Sequence, residues 1–131
     1  ALAARELADM LHGLGVKTRL FDLAREDWAE AVAQAFRYSG MVLAASSYDA
    51  GVFTPMAQFL YRLKIKNLQN RVVGLVENGS WGPTALRTMQ ASLAELKNMT
   101  VVEPTVTIRS ALNADSRAGL ERLADAMARA I

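Results

Sequence analysis

Apolar positions recur along the chain with two alternating periods. Ala4, Leu7, Ala8, Leu11 and Leu14 follow the spacing of one helix face, and Gly13 and Gly15 supply its stop. Val16 to Leu23 reads as a strand. Trp28, Val32, Ala35 and Phe36 predict a second amphipathic helix. Met41 to Ala45 is a continuous apolar run, the pattern of a strand covered on both faces. Met56, Phe59, Leu60 and Leu63 mark a third helix opened by Thr54-Pro55, where proline gives up an N–H that has no helical partner. Val72 to Val76 repeats the buried-strand pattern, and a helix from Pro83 follows with Leu86, Met89, Leu93 and Leu96 inward. Thr100 to Ile108 reads as a strand interrupted at Pro104. Leu120, Leu123, Ala124, Met127 and Ile131 predict a closing helix, capped by Asn113 or Asp115.

Helices and apolar strands therefore alternate, beginning and ending with a helix. That alternation predicts an α/β fold, a parallel sheet with helices on both faces. Neither a repeat nor a linker divides residues 1–131, so one domain is expected. The chain opens inside a helical pattern, without an initiator methionine and without a capping residue before Ala1. A doubly wound fold normally starts with a strand, and the loop after that strand commonly holds a phosphate. The expectation is a longer natural chain or a fragment.

Composition narrows the chemistry. Cysteine is absent and His12 is the single histidine. Thiolate nucleophiles, cysteine-based metal centres and two-histidine metal sites cannot be built from these residues alone. His12 lies in Leu11-His12-Gly13 near a helix end, and reads as a solvated or dipole-facing residue. Fifteen basic and 13 acidic residues are scattered, too weak a bias for nucleic acid. The densest basic stretch, Arg62, Lys64, Lys66 and Arg71, reads first as a solvated helix face with its turn, and second as a docking patch for an acidic partner. No membrane span or secretory leader pattern is present, and a cytoplasmic location is expected.

Two segments at strand ends stand out, because ligands of open α/β sheets sit outside the carboxyl ends of the strands. Ser46-Ser47-Tyr48-Asp49-Ala50-Gly51 follows one buried strand, and Glu77-Asn78-Gly79-Ser80-Trp81-Gly82-Pro83 follows the next. Each combines small residues with one large aromatic, a set suited to a planar heterocycle. Tyr48 and Trp81 offer stacking faces. Gly51, Gly79 and Gly82 let backbone approach closely, and the hydroxyls of Ser46, Ser47 and Ser80 offer hydrogen bonds to a ring edge or phosphate. Taken singly, Asn78-Gly79 is also an ordinary turn signal, and Trp81 or Tyr48 an ordinary packing residue. Two such segments on consecutive strands favour a site.

At these segments the sequence resembles the flavodoxin-like domain of the A-type flavoproteins, or flavodiiron proteins. Ser47-Tyr48-Asp49-Ala50-Gly51-Val52-Phe53-Thr54-Pro55-Met56, Lys64 to Arg71, and above all Glu77-Asn78-Gly79-Ser80-Trp81-Gly82-Pro83 carry the resemblance. It implies a three-layer flavodoxin-like sandwich of strand order 2-1-3-4-5, with strand 1 outside the given sequence. It also implies one FMN flanked by Tyr48 and Trp81 and lined by Ser46, Ser47, Asp49, Gly51, Asn78, Gly79 and Ser80. The partner it implies is a β-lactamase-like diiron domain or another redox protein, such as a rubredoxin-like donor. The family's Gly-Asn-Thr phosphate loop is not in the sequence, and Ser47 stands where threonine is common. Diiron ligands are lacking, so the expected role is electron transfer and no catalytic residue is assigned.

Three rivals remain open. An apo interaction or dimerisation module would hold no flavin and form a homo-oligomer. A phosphoacceptor receiver domain would need an acidic magnesium cluster and a lysine at the last strand's end, where Asp49 and Arg109 are the nearest residues. A stand-alone NAD(P)H-dependent flavin reductase finds no Gly-x-Gly-x-x-Gly pattern.

Overall fold

A computed structural model describes residues 2–23, 25–26, 28–46, 54–78, 85–109 and 113–131. The helices form where the periodicity predicts them: α1 (Leu2–Gly13), α2 (Trp28–Arg37), α3 (Thr54–Ile65), α4 (Ala85–Leu93) and α5 (Ala114–Ala130). Leu14, Leu96 and Ile131 fall just beyond their helices, Leu14, Phe36 and Ile131 are exposed, and the expected helix start at Pro83 lies outside the described residues. Their ends show how local sequence stops a helix. Gly13 is still helical; the break comes at Gly15, whose φ of +82° is the left-handed turn that glycine adopts without steric cost. There Val16 N–H donates to the Leu11 carbonyl and Gly15 N–H to that of His12, both at 3.0 Å, which satisfies two end carbonyls of α1. Asn67, at φ +59°, plays the same part after α3, with Leu68 N–H on the Leu63 carbonyl at 3.0 Å. Of the two capping candidates for α5, Asn113 is the cap: its Oδ1 accepts from Ser116 N–H at 2.9 Å, and Ser116 Oγ accepts from Asn113 N–H in return.

The sheet is parallel. β1 (Gly40–Ser46) pairs with β2 (Val72–Asn78) along its full length, from Gly40 opposite Val72 to Ser46 opposite Asn78. The other edge of β2 carries β3 (Thr100–Val101) and then β4 (Val106–Ile108). These two pieces are the single strand expected over 100–108. Between the pairs Val73–Val101 and Val76–Val106, β2 advances three residues while the outer chain advances five, counted from those pairings. The extra length is taken up around the cis Glu103–Pro104 bond, where proline has no N–H to extend the ladder.

Side chains of β2 alternate between two cores. Val73 and Leu75 join Leu43, Ala45 and the inner faces of α2, α3 and α4. Val72 and Val76 face the opposite layer with Val42, Ala44 and residues of α1 and α5. Five consecutive residues from Val73 to Glu77 are buried, as a central parallel strand requires. A guanidinium–carboxylate contact, Arg117 Nε to Glu6 at 3.1 Å, joins α5 to α1 on the outside; the hydrogen bond and charge of Glu6 hold Arg117 above its ordinary pKa.

The strand expected over Val16–Leu23 does not form. Residues 16–22 carry no regular structure, and Leu23 lies in a turn. β-branched and apolar composition predisposes a segment to strand, but a strand exists only through a ladder, and β1 pairs on one edge alone among the described residues. Phe21 and Leu23 pack on one core and Val16 on the other, so the segment keeps its apolar anchoring without the ladder. The observed order β1-β2-β3/β4 thus corresponds to the 3-4-5 half of the expected sheet.

Candidate functional site

The in-register pairing of β1 and β2 decides where the two distinctive segments begin. Ser46 and Asn78 are cross-strand partners at the carboxyl ends of their strands. Neighbouring strands lie about 4.8 Å apart, so the ends of β1 and β2 that lead into segments 47–53 and 79–84 lie side by side at one edge of the sheet. Parallel strands with helical returns bring both back at helix starts, Thr54 of α3 and Ala85 of α4. Ser46 is placed as the last residue of β1, and Asn78 ends β2 with its side chain exposed. The other expected contacts, Ser47, Tyr48, Asp49, Gly51, Gly79, Ser80 and Trp81, lie outside the described residues.

One residue that the periodicity passed over sits at this edge. Glu77 is 4 % exposed, and its two oxygens are both used. Oε1 accepts from the Leu86 N–H at the start of α4, and Oε2 from the Thr107 hydroxyl on β4, each at 2.9 Å. Glu77 and Thr107 are register partners on the face of the sheet that α4 covers. The signal was present in Val72-Val73-Gly74-Leu75-Val76-Glu77: a carboxylate with the parity of the inward Val73 and Leu75, ahead of a helix whose first turn has no acid.

The basic stretch divides by role. Arg71 is a helix cap: its Nε donates to the Ala35 carbonyl at 3.2 Å and its Nη2 to that of Phe36 at 3.1 Å, in the last turn of α2. Its Nη1 also donates to the Gln69 carbonyl at 2.6 Å. Arg62 lies 5.5 Å over the Trp28 ring, and Lys64 pairs with Glu95 at 3.1 Å. Three of the four cations are therefore engaged within the chain. Arg71→Ala is expected to lower stability by about 1–2 kcal/mol, the net value of two or so hydrogen bonds. Urea denaturation tests this, and an unchanged midpoint would show that these cap bonds contribute nothing.

Two hollows flank helices. One, of about 530 Å³, runs between α1 and α5 beside Met10, Leu14 and Arg122; a smaller one, about 160 Å³, lies between α3 and α4 beside Tyr61 and Ser92. Neither is at the strand ends. No group of three or more metal-ligating side chains is present among the described residues, and no described helix is long and apolar enough to cross a membrane.

Comparison with solved structures places this architecture. The rubredoxin oxygen:oxidoreductase of Desulfovibrio gigas aligns over 98 % of this chain with a TM-score of 0.88 at 17 % identity. A flavodoxin from the domain Archaea aligns over 98 % of the chain with a TM-score of 0.85 at 16 % identity, and covers 87 % of that protein. The flavodiiron core from a Synechocystis species gives 0.88 at 12 % identity, again over 98 % of this chain. The fold is a flavodoxin-like α/β sandwich. The chain spans about a third of the length of the flavodiiron proteins it matches, 32 % in both cases, and most of the length of the archaeal flavodoxin. No protein-family model matches the sequence, and no curated protein matches it.

Proposed function

We propose that this chain is an FMN-binding electron-transfer module. The observation that carries the reading is the register of β1 on β2, which launches the Tyr48 and Trp81 segments from adjacent positions at the carboxyl edge of a flavodoxin-like sheet. The residues suit the ring portion of FMN. Two aromatics come from neighbouring segments, serine hydroxyls and the Asn78 amide offer polar partners, and glycines at 51 and 79 permit close backbone approach. When bound, FMN supplies the redox chemistry, and the protein supplies binding, orientation and local polarity.

In this reading Tyr48 and Trp81 cover the ring faces and exclude water. Ser46, Ser47, Asp49, Gly51, Asn78, Gly79 and Ser80 line its edge. The apolar cover disfavours added negative charge, which places the aromatics in control of the potential as well as the affinity. The electron partner is proposed to be a diiron domain of the β-lactamase-like type or a separate redox protein, in keeping with the domain-sized match to much longer flavodiiron proteins.

Titration with FMN, followed by flavin absorbance and fluorescence, tests the reading. One FMN per chain with quenched fluorescence is expected. Trp81→Ala should weaken binding about two- to tenfold, the worth of one stacking contact of roughly 0.5–1.5 kcal/mol, and make the midpoint potential less negative. Absence of binding by the unmodified chain would overturn the FMN assignment and favour an apo interaction module. Binding and potential unchanged in Trp81→Ala would remove the stacking role.

A further inference from the structure

A buried carboxylate is an expensive choice at a strand end. Removing it from water costs several kcal/mol in round figures, which must be offset by good hydrogen bonds. Glu77 is the single acidic side chain buried among the described residues, and none of their ion pairs involves it. Its partners are a helix-start N–H and a hydroxyl, Leu86 and Thr107. Their positions in the chain are informative. Glu77 lies just before segment 79–84 and Leu86 just after it, so one carboxylate joins the two ends of that segment. Its second oxygen moors the same junction to β4.

We propose that Glu77 is a clasp, a positioning residue that ties the end of β2 to the start of α4 and to β4, and that flavin affinity depends on this tie. The clasp is defined by Glu77, Leu86 and Thr107 themselves. Its consequence for flavin rests on the FMN reading above.

Charge and shape both fit this role. The first N–H groups of a helix have no acceptor within it, and Leu86 is the second residue of α4. No acidic residue stands in the first turn of α4, so the negative group its amino end favours comes instead from β2. The acceptor is therefore not local, as a capping serine or asparagine would be. It is the preceding strand, which couples the placement of α4 to the sheet.

The same geometry makes Leu86 a clean probe. Its amide donates to Glu77 Oε1 at 2.9 Å. Amide hydrogen exchange at Leu86 and FMN titration are measured on the full chain and on Glu77→Gln, Glu77→Ala and Thr107→Val. Glutamine keeps an oxygen for Leu86 and turns an amide toward the Thr107 oxygen. It is expected to hold Leu86 exchange and FMN affinity within about threefold of the unmodified chain. Glu77→Ala is expected to speed Leu86 exchange and weaken FMN at least about tenfold, equivalent to about 1.4 kcal/mol. Equal exchange and equal affinity in Glu77→Ala would overturn the clasp, as would a glutamine variant that fails like alanine. If Glu77→Ala does not fold, Thr107→Val decides the question, since it removes one mooring and leaves the core shape intact. Faster Leu86 exchange supports the clasp, and unchanged exchange overturns it. If Leu86 responds as expected but the unmodified chain binds no FMN, the clasp stands and the flavin reading falls.

Discussion

Leu63→Ala is expected to lower the unfolding free energy by about 2–5 kcal/mol, the usual range for emptying a fully buried leucine site. Leu63 has no exposed surface and belongs to the core beneath α2, α3 and α4. It also has a second task. Its carbonyl accepts the Leu68 N–H that ends α3, and Leu68 is itself only 1 % exposed. In such a helix end the residue beyond the turn commonly rests on the residue whose carbonyl it satisfies. Truncation therefore removes packing within the core and under the α3 terminus together. Leu63→Met, which nearly conserves volume, should cost less than about 1.5 kcal/mol. Urea denaturation of both variants checks the pair. A Leu63→Ala midpoint within error of the unmodified chain would mean that α3 is not held by this core.

Gly74→Val is the second large effect, and acts by the opposite physics. Gly74 lies in the middle of β2, where a Cβ would meet Leu123 Cδ1 at 3.2 Å and Met127 Sδ and Val42 Cγ2 at 3.3 Å. A Cβ alone would need these side chains to give by a few tenths of an ångström. The branched methyls of valine need more room than that, so α5 must move off the sheet. Overpacking of this kind costs about 1–3 kcal/mol, with Gly74→Ala at or below the low end. Leu123→Ala in the same chain opens space where the valine points. The double variant should lose less stability than the sum of the two single losses, because the sites touch. Additive losses would place the strain elsewhere than the α5 seam.

The two variants also separate the layers that carry the candidate site. The α2–α3–α4 layer holds the helices that receive segments 47–53 and 79–84, whereas α5 lies on the other face. Under the proposed FMN function, destabilisation at Gly74 should leave flavin affinity of the remaining folded chain nearly unchanged. Destabilisation at Leu63 acts on the layer from which α3 supports the site.

Much of the local structure was legible in the sequence because its causes are local. The five helices follow from apolar spacing, and two of the strands from short apolar runs. The break near Pro104 follows from a missing N–H. Two helix-end details were only half legible. Gly13 and Gly15 are both permissive residues, and only the chain's path decides which takes the left-handed turn. Asn113 and Asp115 are both capping types, and the reciprocal bonds with Ser116 select Asn113. The segment over 16–23 has strand-like composition but forms no strand, because strand character depends on a neighbour distant in sequence. Arg71 read as part of a charged surface because its acceptors, Ala35 and Phe36, lie some 35 residues away.

For the candidate site the division has the same origin. Residue type alone pointed to Tyr48, Trp81 and their small neighbours, since stacking faces, hydroxyls and glycine are properties of single residues. That the two segments leave from one sheet edge required the parallel register of Ser46 on Asn78. That Glu77 is buried, with Leu86 and Thr107 on its two oxygens, required strand, helix and sheet to be assembled. Periodicity and side-chain chemistry are written into the chain residue by residue, so the sequence by itself determined the helices, the buried strands and the chemical character of the segments between them. Register, burial and long-range hydrogen bonds arise only when separated segments share one core, so the tertiary structure alone decided which strand ends and helix starts stand together.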